Sequence, residues 1–471
     1  MSLPGSFRGL SERLAVSHEG EPYQPDRMRR NTRYAWAVAA VLTLANMCSY
    51  IDRQIINLLV DPIKLDLRLS DTTMSLLQGA AFVIAYLIFT PIFGRRVDTS
   101  IRKNVAAIAV ITWSLSSALG AFATNVTMLF ISRAGVGAAE AAIAPAAFSL
   151  ISDYFTRDRL PRALGLFQLG PYLGGGFALI MGGLVIGSAS SVIDSFAWLA
   201  HFSPWQMTFL IIGISGIPLG IILYLVREPP RQVIARVQID ERRYTLAETL
   251  RYIWTRRDFY LRLFGSYAFT VVVFYSFPAW IPTILMRGGY GVDLKTVGVT
   301  YGLVVAVMGV LGVLTGPQIE YYLRMRGRRS AVIDCIGLAA AGLIPVSALL
   351  MFVHGYAATI VVSAVAVFLY SMPQPLASSA LQIVTPNRVR GMASAIFVIV
   401  VSGIGLGVAP TIVALVSDHV FGSNLRTALG VVCVSSSVVS LVLCQGTRAP
   451  FARALEAEEE VSRQQRAYGT E

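Results

Sequence analysis

The sequence predicts an all-α membrane protein in which twelve transmembrane helices form two pseudo-symmetric six-helix bundles. Composition is the first reason: 55% of the 471 residues are hydrophobic and only 14% are charged, which is too apolar for a soluble domain. The second is that apolar residues gather into twelve runs of bilayer-crossing length, about 17 to 25 residues or more. The third is a single long charged interruption at 228–257, which divides the runs into six and six.

The twelve runs are numbered here as spans 1 to 12. They are predicted at 34–60, 72–95, 104–124, 126–153, 162–187, 205–226, 259–286, 295–323, 331–353, 356–384, 389–417 and 427–445. Each run is continuously apolar rather than alternating, so a β-barrel is not expected. Because several runs are longer than a bilayer requires, we expect tilted helices or helices that project beyond the hydrocarbon.

The basic residues predict the orientation of the chain. A net charge of +12 alone suggests a nucleic-acid binder, but 32 of the 39 Lys and Arg residues fall on one side of the predicted spans, and only five on the other. The positive-inside rule then predicts a multi-pass protein of the plasma (inner) membrane with both termini cytoplasmic and no nucleic-acid partner. The predicted domains are a tail at 1–33, a bundle at 34–227, a linker at 228–257, a bundle at 258–446 and a tail at 447–471.

The two halves repeat a short motif after their second span. Gly94 and Asp98 stand four residues apart and basic residues follow; Gly316 and Glu320 repeat this arrangement 222 residues later. Two parallel six-helix repeats are typical of transporters with a substrate site near the membrane midplane.

The linker contains a short amphipathic pattern. Leu246, Leu250, Ile253 and Trp254 share one helical face, which predicts a helix lying on the inner leaflet. A solvated loop is the alternative.

Only four charged residues lie deep inside the predicted spans: Asp52, Arg53, Arg133 and Glu140. Each costs about 2.5 to 3.5 kcal/mol at a helix centre unless it is paired or hydrated. Asp52 and Arg133 both lie roughly 12 Å below the outer ends of their helices, so we expect them to meet. Glu140 lies roughly 10 Å deeper on the same face as Arg133.

Such a site can couple proton movement to a conformational change. A carboxylate whose water access and arginine contact differ between two conformations binds a proton in one and releases it in the other. We therefore predict that Asp52, Glu140 and Arg133 are proton-coupling residues; a static buried salt bridge is the alternative. Arg53 either contacts substrate, extends outward or pairs with Asp61.

Other residue types narrow the class of protein. The four Cys and four His residues are scattered singly, so no metal, cofactor or catalytic dyad is expected, and the protein is not predicted to be an enzyme. A channel is disfavoured because the deep charges are confined to one half. Further candidates for substrate contact or gating, for which ordinary packing is the alternative, are Tyr86, Gln168, Tyr172, Phe274, Tyr275, Trp280, Tyr301, Tyr370 and Gln374.

The chain resembles the transporters of the major facilitator superfamily over 34–446. More narrowly, "YIDRQIINLL" in span 1, "SRAGVGAAEAAIAP" in span 4 and "FPAWIPTILMR" in span 7 resemble bacterial relatives of the spinster lipid transporters. The resemblance implies a proton-driven exporter or redistributor of lysolipid or sphingoid-type molecules, with Asp52 as proton carrier and Arg133 and Glu140 as its relay. We also expect a monomer. A small organic anion or drug-like compound is the alternative substrate.

The resemblance also implies a cytoplasmic gate motif. Its residues are Gly94, Asp98, Arg102 and Lys103, with Asp98 contacting the start of span 11. The match is partial, since Thr99 replaces the usual Arg and Ile101 the usual Gly.

Overall fold

The computed structural model describes residues 32–156, 159–195, 201–230 and 245–468. In this part of the chain every regular element is a helix, and eleven helical segments are long and apolar enough to cross a membrane. Span 3 is not among the eleven, but its 19-residue helix packs along spans 4 and 6. Most of the predicted tail at 1–33, residues 231–244 of the linker and residues 469–471 lie outside the described residues.

The helices follow the predicted order. Spans 1 to 6 comprise Thr32–Gln54; Asp71–Gln78 with Ala80–Thr99; Arg102–Gly120; Val126–Glu140 with Ile143–Tyr154; Leu160–Phe167 with Gly170–Ser195; and Pro204–Leu225. Spans 7 to 12 comprise Arg257–Arg287; Leu294–Met325; Ala331–Phe352; Tyr356–Ser371 with Gln374–Val384; Asn387–Ser402 with Ala409–His419; and Leu425–Tyr468.

Polar caps fix where several helices begin on the side predicted to face outward. Ser70, Asn125 and Asp293 each accept a hydrogen bond from the backbone N–H three residues later, and Ser203 forms a capping box with Gln206. These caps satisfy N–H groups that have no partner within the helix. They set the outer starts of spans 2, 4, 6 and 8.

Two spans depart from α-helical geometry. Span 1 passes into a 3-10 turn at Ile55–Asn57, and a short helix, Val60–Leu67, follows it. Span 11 contains a π-helical segment at Gly403–Val408. Such irregular turns occur often at functional sites.

The twelve spans form two bundles, as the sequence predicts. Spans 1 to 6 pack on one another, and so do spans 7 to 12. Between the bundles, span 5 lies along span 8, span 2 lies along span 11, and span 7 meets the 3-10 turn of span 1.

The bundles are joined at the predicted outer side, and space is open around one glycine near the inner end of each of spans 2 and 11. Arg287 at the end of span 7 bonds the carboxylates of Asp61 at 2.6 Å and Asp71 at 2.8 Å, both in the other bundle. Thr72 donates to Asp418 at 3.0 Å. Towards the inner ends of spans 2 and 11, a Cβ added to Gly94 or Gly391 would meet no atom within 4 Å.

The linker helix, Leu246–Thr255, begins at a capping box formed by Thr245 and Glu248. Its apolar residues divide between two directions, which corrects the single face predicted from the sequence. Ile253 is buried with Thr249 against the second bundle, whereas Leu246, Leu250 and Trp254 are exposed. The linker helix packs on spans 7 and 11, and Ile253 lies on the side that makes this contact. The other three apolar residues lie on the side that no described residue covers.

Close packing of spans 5 and 8 predicts a sharp difference between two glycines. In Gly302→Ala the new Cβ would stand 2.6 Å from the carbonyl oxygen of Gly176, whereas Gly391→Ala adds a methyl group to open space. We expect Gly302→Ala to lower the apparent Tm of the purified protein, since overpacking costs about 1 to 3 kcal/mol. Gly391→Ala should leave the Tm equal or raise it; equal Tm values for both variants would contradict this packing.

Candidate functional site

The four deep charges lie together in the first bundle. Asp52 and Arg53 occupy the last turn of the span 1 helix, and Arg133 and Glu140 lie in the first helix of span 4. Their exposed fractions are 2%, 8%, 0% and 0%. None faces open lipid, so their contacts with one another decide the chemistry of the site.

Asp52 and Arg133 are neighbours but do not form the ion pair expected from their depths. The Asp52 carboxylate accepts a hydrogen bond from the Ser117 hydroxyl of span 3 at 2.5 Å. Arg133 instead donates to the backbone carbonyl of Asp52 at 2.8 Å and to that of Arg53 at 3.5 Å. The last carbonyls of an α-helix lack intrahelical donors, so the end of the helix at Gln54 offers Arg133 these acceptors.

Arg53 forms the ion pair at this site. Its Nη2 lies 2.6 Å from Oε2 of Glu140, which also accepts a hydrogen bond from Ser49 at 2.7 Å. The possible pairing of Arg53 with Asp61 is wrong in this structure, because Asp61 binds Arg287 on the outer side. The pair joins spans 1 and 4 with a charge-assisted hydrogen bond, the stronger kind.

Aromatic rings surround the Arg53 guanidinium. Its Cζ lies 4.6 Å from the ring centre of Tyr50, 4.4 Å from that of Phe82 and 5.5 Å from that of Tyr86. Cation–π attraction of this kind strengthens when water is excluded. Sequence reasoning missed Ser49 and Tyr50, although they precede Arg53 by four and three residues and must share its helical face.

The site also holds polar atoms that no described residue satisfies. Nε of Arg53, Nε of Arg133 and Oε1 of Glu140 are buried without a hydrogen-bond partner among the described residues. Buried polar atoms are usually bonded, so exceptions mark places where a further ligand or another conformation supplies the partner.

The facing bundle presents aromatic and uncharged polar groups. The ring centre of Phe274 lies 4.8 Å from that of Tyr275 and 5.3 Å from that of Tyr370, both in the same bundle. It lies 6.2 Å from the ring centre of Tyr172, which belongs to span 5 of the first bundle. Tyr267 donates to Gln374 at 2.5 Å.

The remaining aromatic and amide candidates lie elsewhere. Trp280 and Tyr301 are fully buried, and the Trp280 indole donates to the carbonyl of Pro410 at 3.0 Å. These two residues therefore pack within the core in this conformation. Gln168 is exposed in span 5.

The gate-motif residues separate into two groups. Gly94 and Asp98 lie on the inner half of span 2, where Asp98 is exposed. Arg102 is buried and bonds Asp153, as well as Glu228 at 2.7 Å, while the Lys103 backbone N–H donates to Glu228 at 3.0 Å. Arg102 thus connects span 3 to the inner ends of spans 4 and 6 within its own bundle.

Comparisons with known proteins agree with this architecture. The family model for the Major Facilitator Superfamily matches residues 42–410. The chain is 29% identical to an MFS-type efflux pump of Mycolicibacterium smegmatis, over 69% of this chain and 71% of that protein. The chain is also 26% identical to protein spinster homolog 1 of Xenopus tropicalis. That match covers 69% of this chain but only 61% of the relative.

A solved structure shows the same fold. It is a bacterial homolog of the human lysosomal transporter spinster, in an inward-facing and unoccupied conformation. The TM-score is 0.74 at 21% identity, covering 90% of this chain and 98% of the other. The chain belongs to the Major Facilitator Superfamily of membrane transporters, and within that superfamily it is similar to the spinster proteins.

Proposed function

We propose that the protein is a proton-coupled secondary active transporter that moves an amphipathic solute, a lysolipid or sphingoid-like lipid, by alternating access. We place it in the plasma (inner) membrane with both termini cytoplasmic. The observation that carries the proposal is the buried network of Asp52, Arg53, Arg133 and Glu140, in which two acids at membrane depth have incomplete or exchangeable partners.

Asp52 is suited to carry the proton. Its carboxylate is held by a hydroxyl, and the Ser117 hydroxyl can donate to the ionised acid or accept from the protonated one. The Arg133 guanidinium already reaches the Asp52 backbone carbonyl. A conformation that turned Arg133 towards the carboxylate would favour the ionised form, so the proton would be released when that contact forms.

Glu140 and Arg53 are suited to exchange partners with a solute. The pair uses one oxygen of Glu140 and one terminal nitrogen of Arg53, while Oε1 and Nε have no described partner. If Glu140 took up a proton, Arg53 would lose its counter-charge and an anionic group would replace it. The aromatic rings around Arg53 would then contact the neighbouring apolar part of the solute.

The opposite wall favours an apolar tail. Spans 7 to 12 contain no Asp, Glu, Lys or Arg at this depth. The half-buried rings of Phe274 and Tyr275 supply aromatic surface there, and the buried ring of Tyr370 packs behind Phe274. One charged wall and one apolar wall match a molecule with a polar head and an acyl chain. An imposed gradient adds about 1.4 kcal/mol per proton and per pH unit, enough to bias a two-state cycle tenfold.

The decisive experiment measures flux in proteoliposomes that contain the full chain. Labelled lysophosphatidylcholine and labelled benzoate are compared, each with and without an imposed pH gradient. We expect saturable lysolipid flux that rises with the gradient. Gradient-driven benzoate flux without lysolipid flux would favour the organic-anion alternative, and flux of either solute that ignored the gradient would contradict proton coupling.

Removing the proposed proton carrier should uncouple transport. In Asp52→Asn, the amide fills the same space but cannot exchange a proton, so we expect gradient-driven accumulation to fall at least tenfold, to the level reached without a gradient. Flux and its pH profile are measured in the same vesicles. Asp258→Asn is the matched control, because Asp258 is an exposed acid paired within one helix to Arg262. An unchanged pH profile in Asp52→Asn refutes the assignment.

Breaking the outer contact should shift the conformational equilibrium. Arg287→Gln removes the ion pairs to Asp61 and Asp71 that join the bundles, so we expect the outer-open population to rise several-fold. Spin labels at Leu65 and Val420, both exposed on opposite bundles, report the outer distance. Arg262→Gln, which removes contacts within the second bundle only, should leave the distribution unchanged. Identical distributions in all three proteins would contradict a gating role.

A further inference from the structure

The linker helix, Leu246–Thr255, presents a line of exposed apolar side chains. Leu246, Leu250 and Trp254 are 52%, 48% and 60% exposed and follow one another at four-residue intervals. Thr249 and Ile253 are buried against the bundle, so the helix cannot rotate to hide this line without losing its own packing. A large apolar surface of this kind needs a cover other than water.

Basic–aromatic pairs show the level at which this helix lies. They occur at the predicted inner ends of spans 6 and 8 as well as in and beside the linker helix. The distances from cation to ring centre are 5.3 Å for Lys103–Tyr224, 5.6 Å for Arg324–Tyr321, 4.3 Å for Arg326–Tyr322, 4.2 Å for Arg256–Tyr252 and 5.6 Å for Arg257–Trp254. Aromatic rings and basic groups concentrate at the headgroup level of a bilayer.

The linker helix therefore continues an interfacial belt of the bundle. Arg251, Arg256 and Arg257 are exposed beside the apolar line. The nearby acids of the described chain are engaged: Glu248 bonds the Thr245 cap, and Asp258 pairs with Arg262. The exposed side is thus apolar and basic together, a combination that fits a surface with negative headgroups above hydrocarbon.

We propose that the linker helix docks on anionic lipid headgroups of the inner leaflet. Leu246, Leu250 and Trp254 enter the boundary of the acyl chains, while the three arginines bind phosphate groups. The helix packs on span 7 and on the inner helix of span 11, so docking ties this edge of the second bundle to the leaflet. The proposal goes beyond the proposed function, because it holds whatever solute is carried.

An environment-sensitive fluorophore on the full-length protein tests the docking. The label is attached at Leu250→Cys, with Thr255→Cys on the polar side of the helix as control, and labelled wild type is subtracted as a blank for the native cysteines. The proteins are placed in vesicles of phosphatidylcholine with increasing phosphatidylglycerol. We expect a blue shift at position 250, not at 255, that saturates as the anionic fraction rises.

Charge removal separates lipid docking from other covers. Arg251→Gln should raise the phosphatidylglycerol fraction at half-saturation about fivefold, the effect of one basic residue near an anionic surface. Arg324→Gln with Arg326→Gln removes belt charges from span 8 and should leave the signal at position 250 unchanged. A label at position 250 that shows no blue shift overturns the proposal. A blue shift that does not depend on the anionic fraction also overturns it, because that is the result expected if protein covers the helix.

Discussion

The charges buried in spans 1 and 4 must find partners inside the first bundle, and this constraint fixes its centre. An unpaired charge at such depth costs about 2.5 to 3.5 kcal/mol. The Arg53–Glu140 pair offsets that cost only if the two helices cross where both side chains reach. Phe82 of span 2 lies over both guanidiniums, 4.4 Å from Arg53 and 5.9 Å from Arg133. Gly137 lets span 4 approach, since a Cβ there would stand 2.2 Å from the Phe82 carbonyl oxygen. Three spans are thereby held in one arrangement.

Because the deep charges find their partners within the first bundle, the second bundle needs no charge at this depth to balance them. The mid-membrane seam between spans 5 and 8 contains glycines such as Gly176 and Gly302, whose backbones touch. Among the residues that the structure describes, no ion pair crosses this seam. The ionic contacts between the bundles are those of Arg287 with Asp61 and Asp71, among the described residues, and they lie at the outer ends where water can replace them. A change of conformation that parted the bundles at this end would therefore exchange partly buried ion pairs and leave the buried charges of the first bundle paired.

The spans and the buried charges follow from the sequence because hydropathy and the cost of burying charge act locally. The pairing among those charges does not. A depth calculated from the rise per residue assumes an uninterrupted α-helix. It brings Asp52 and Arg133 to the same level, where the structure has them in contact. Span 1, however, becomes a 3-10 turn at Ile55–Asn57, where no Pro or Gly signals a break in the helix. The backbone carbonyls exposed there attract Arg133, and Arg53 is left to Glu140. Tertiary contacts decide such breaks, so a periodic pattern cannot show them.

The internal repeat extends to an ion pair at the predicted inner end of each bundle. In the first half, Arg102 at the start of span 3 bonds Glu228 beyond the end of span 6 at 2.7 Å. In the second half, Asp334 near the start of span 9 forms an ion pair with Arg448 of span 12 at 2.7 Å. The ion pair occupies a corresponding place in each half. The base lies on the third span and the acid after the sixth in the first half, and the two are exchanged in the second half. The two halves thus make the same connection with different residues, which is expected if the requirement is mechanical. Each ion pair therefore ties the start of the third span of its bundle to the end of the sixth, whichever helix carries the acid.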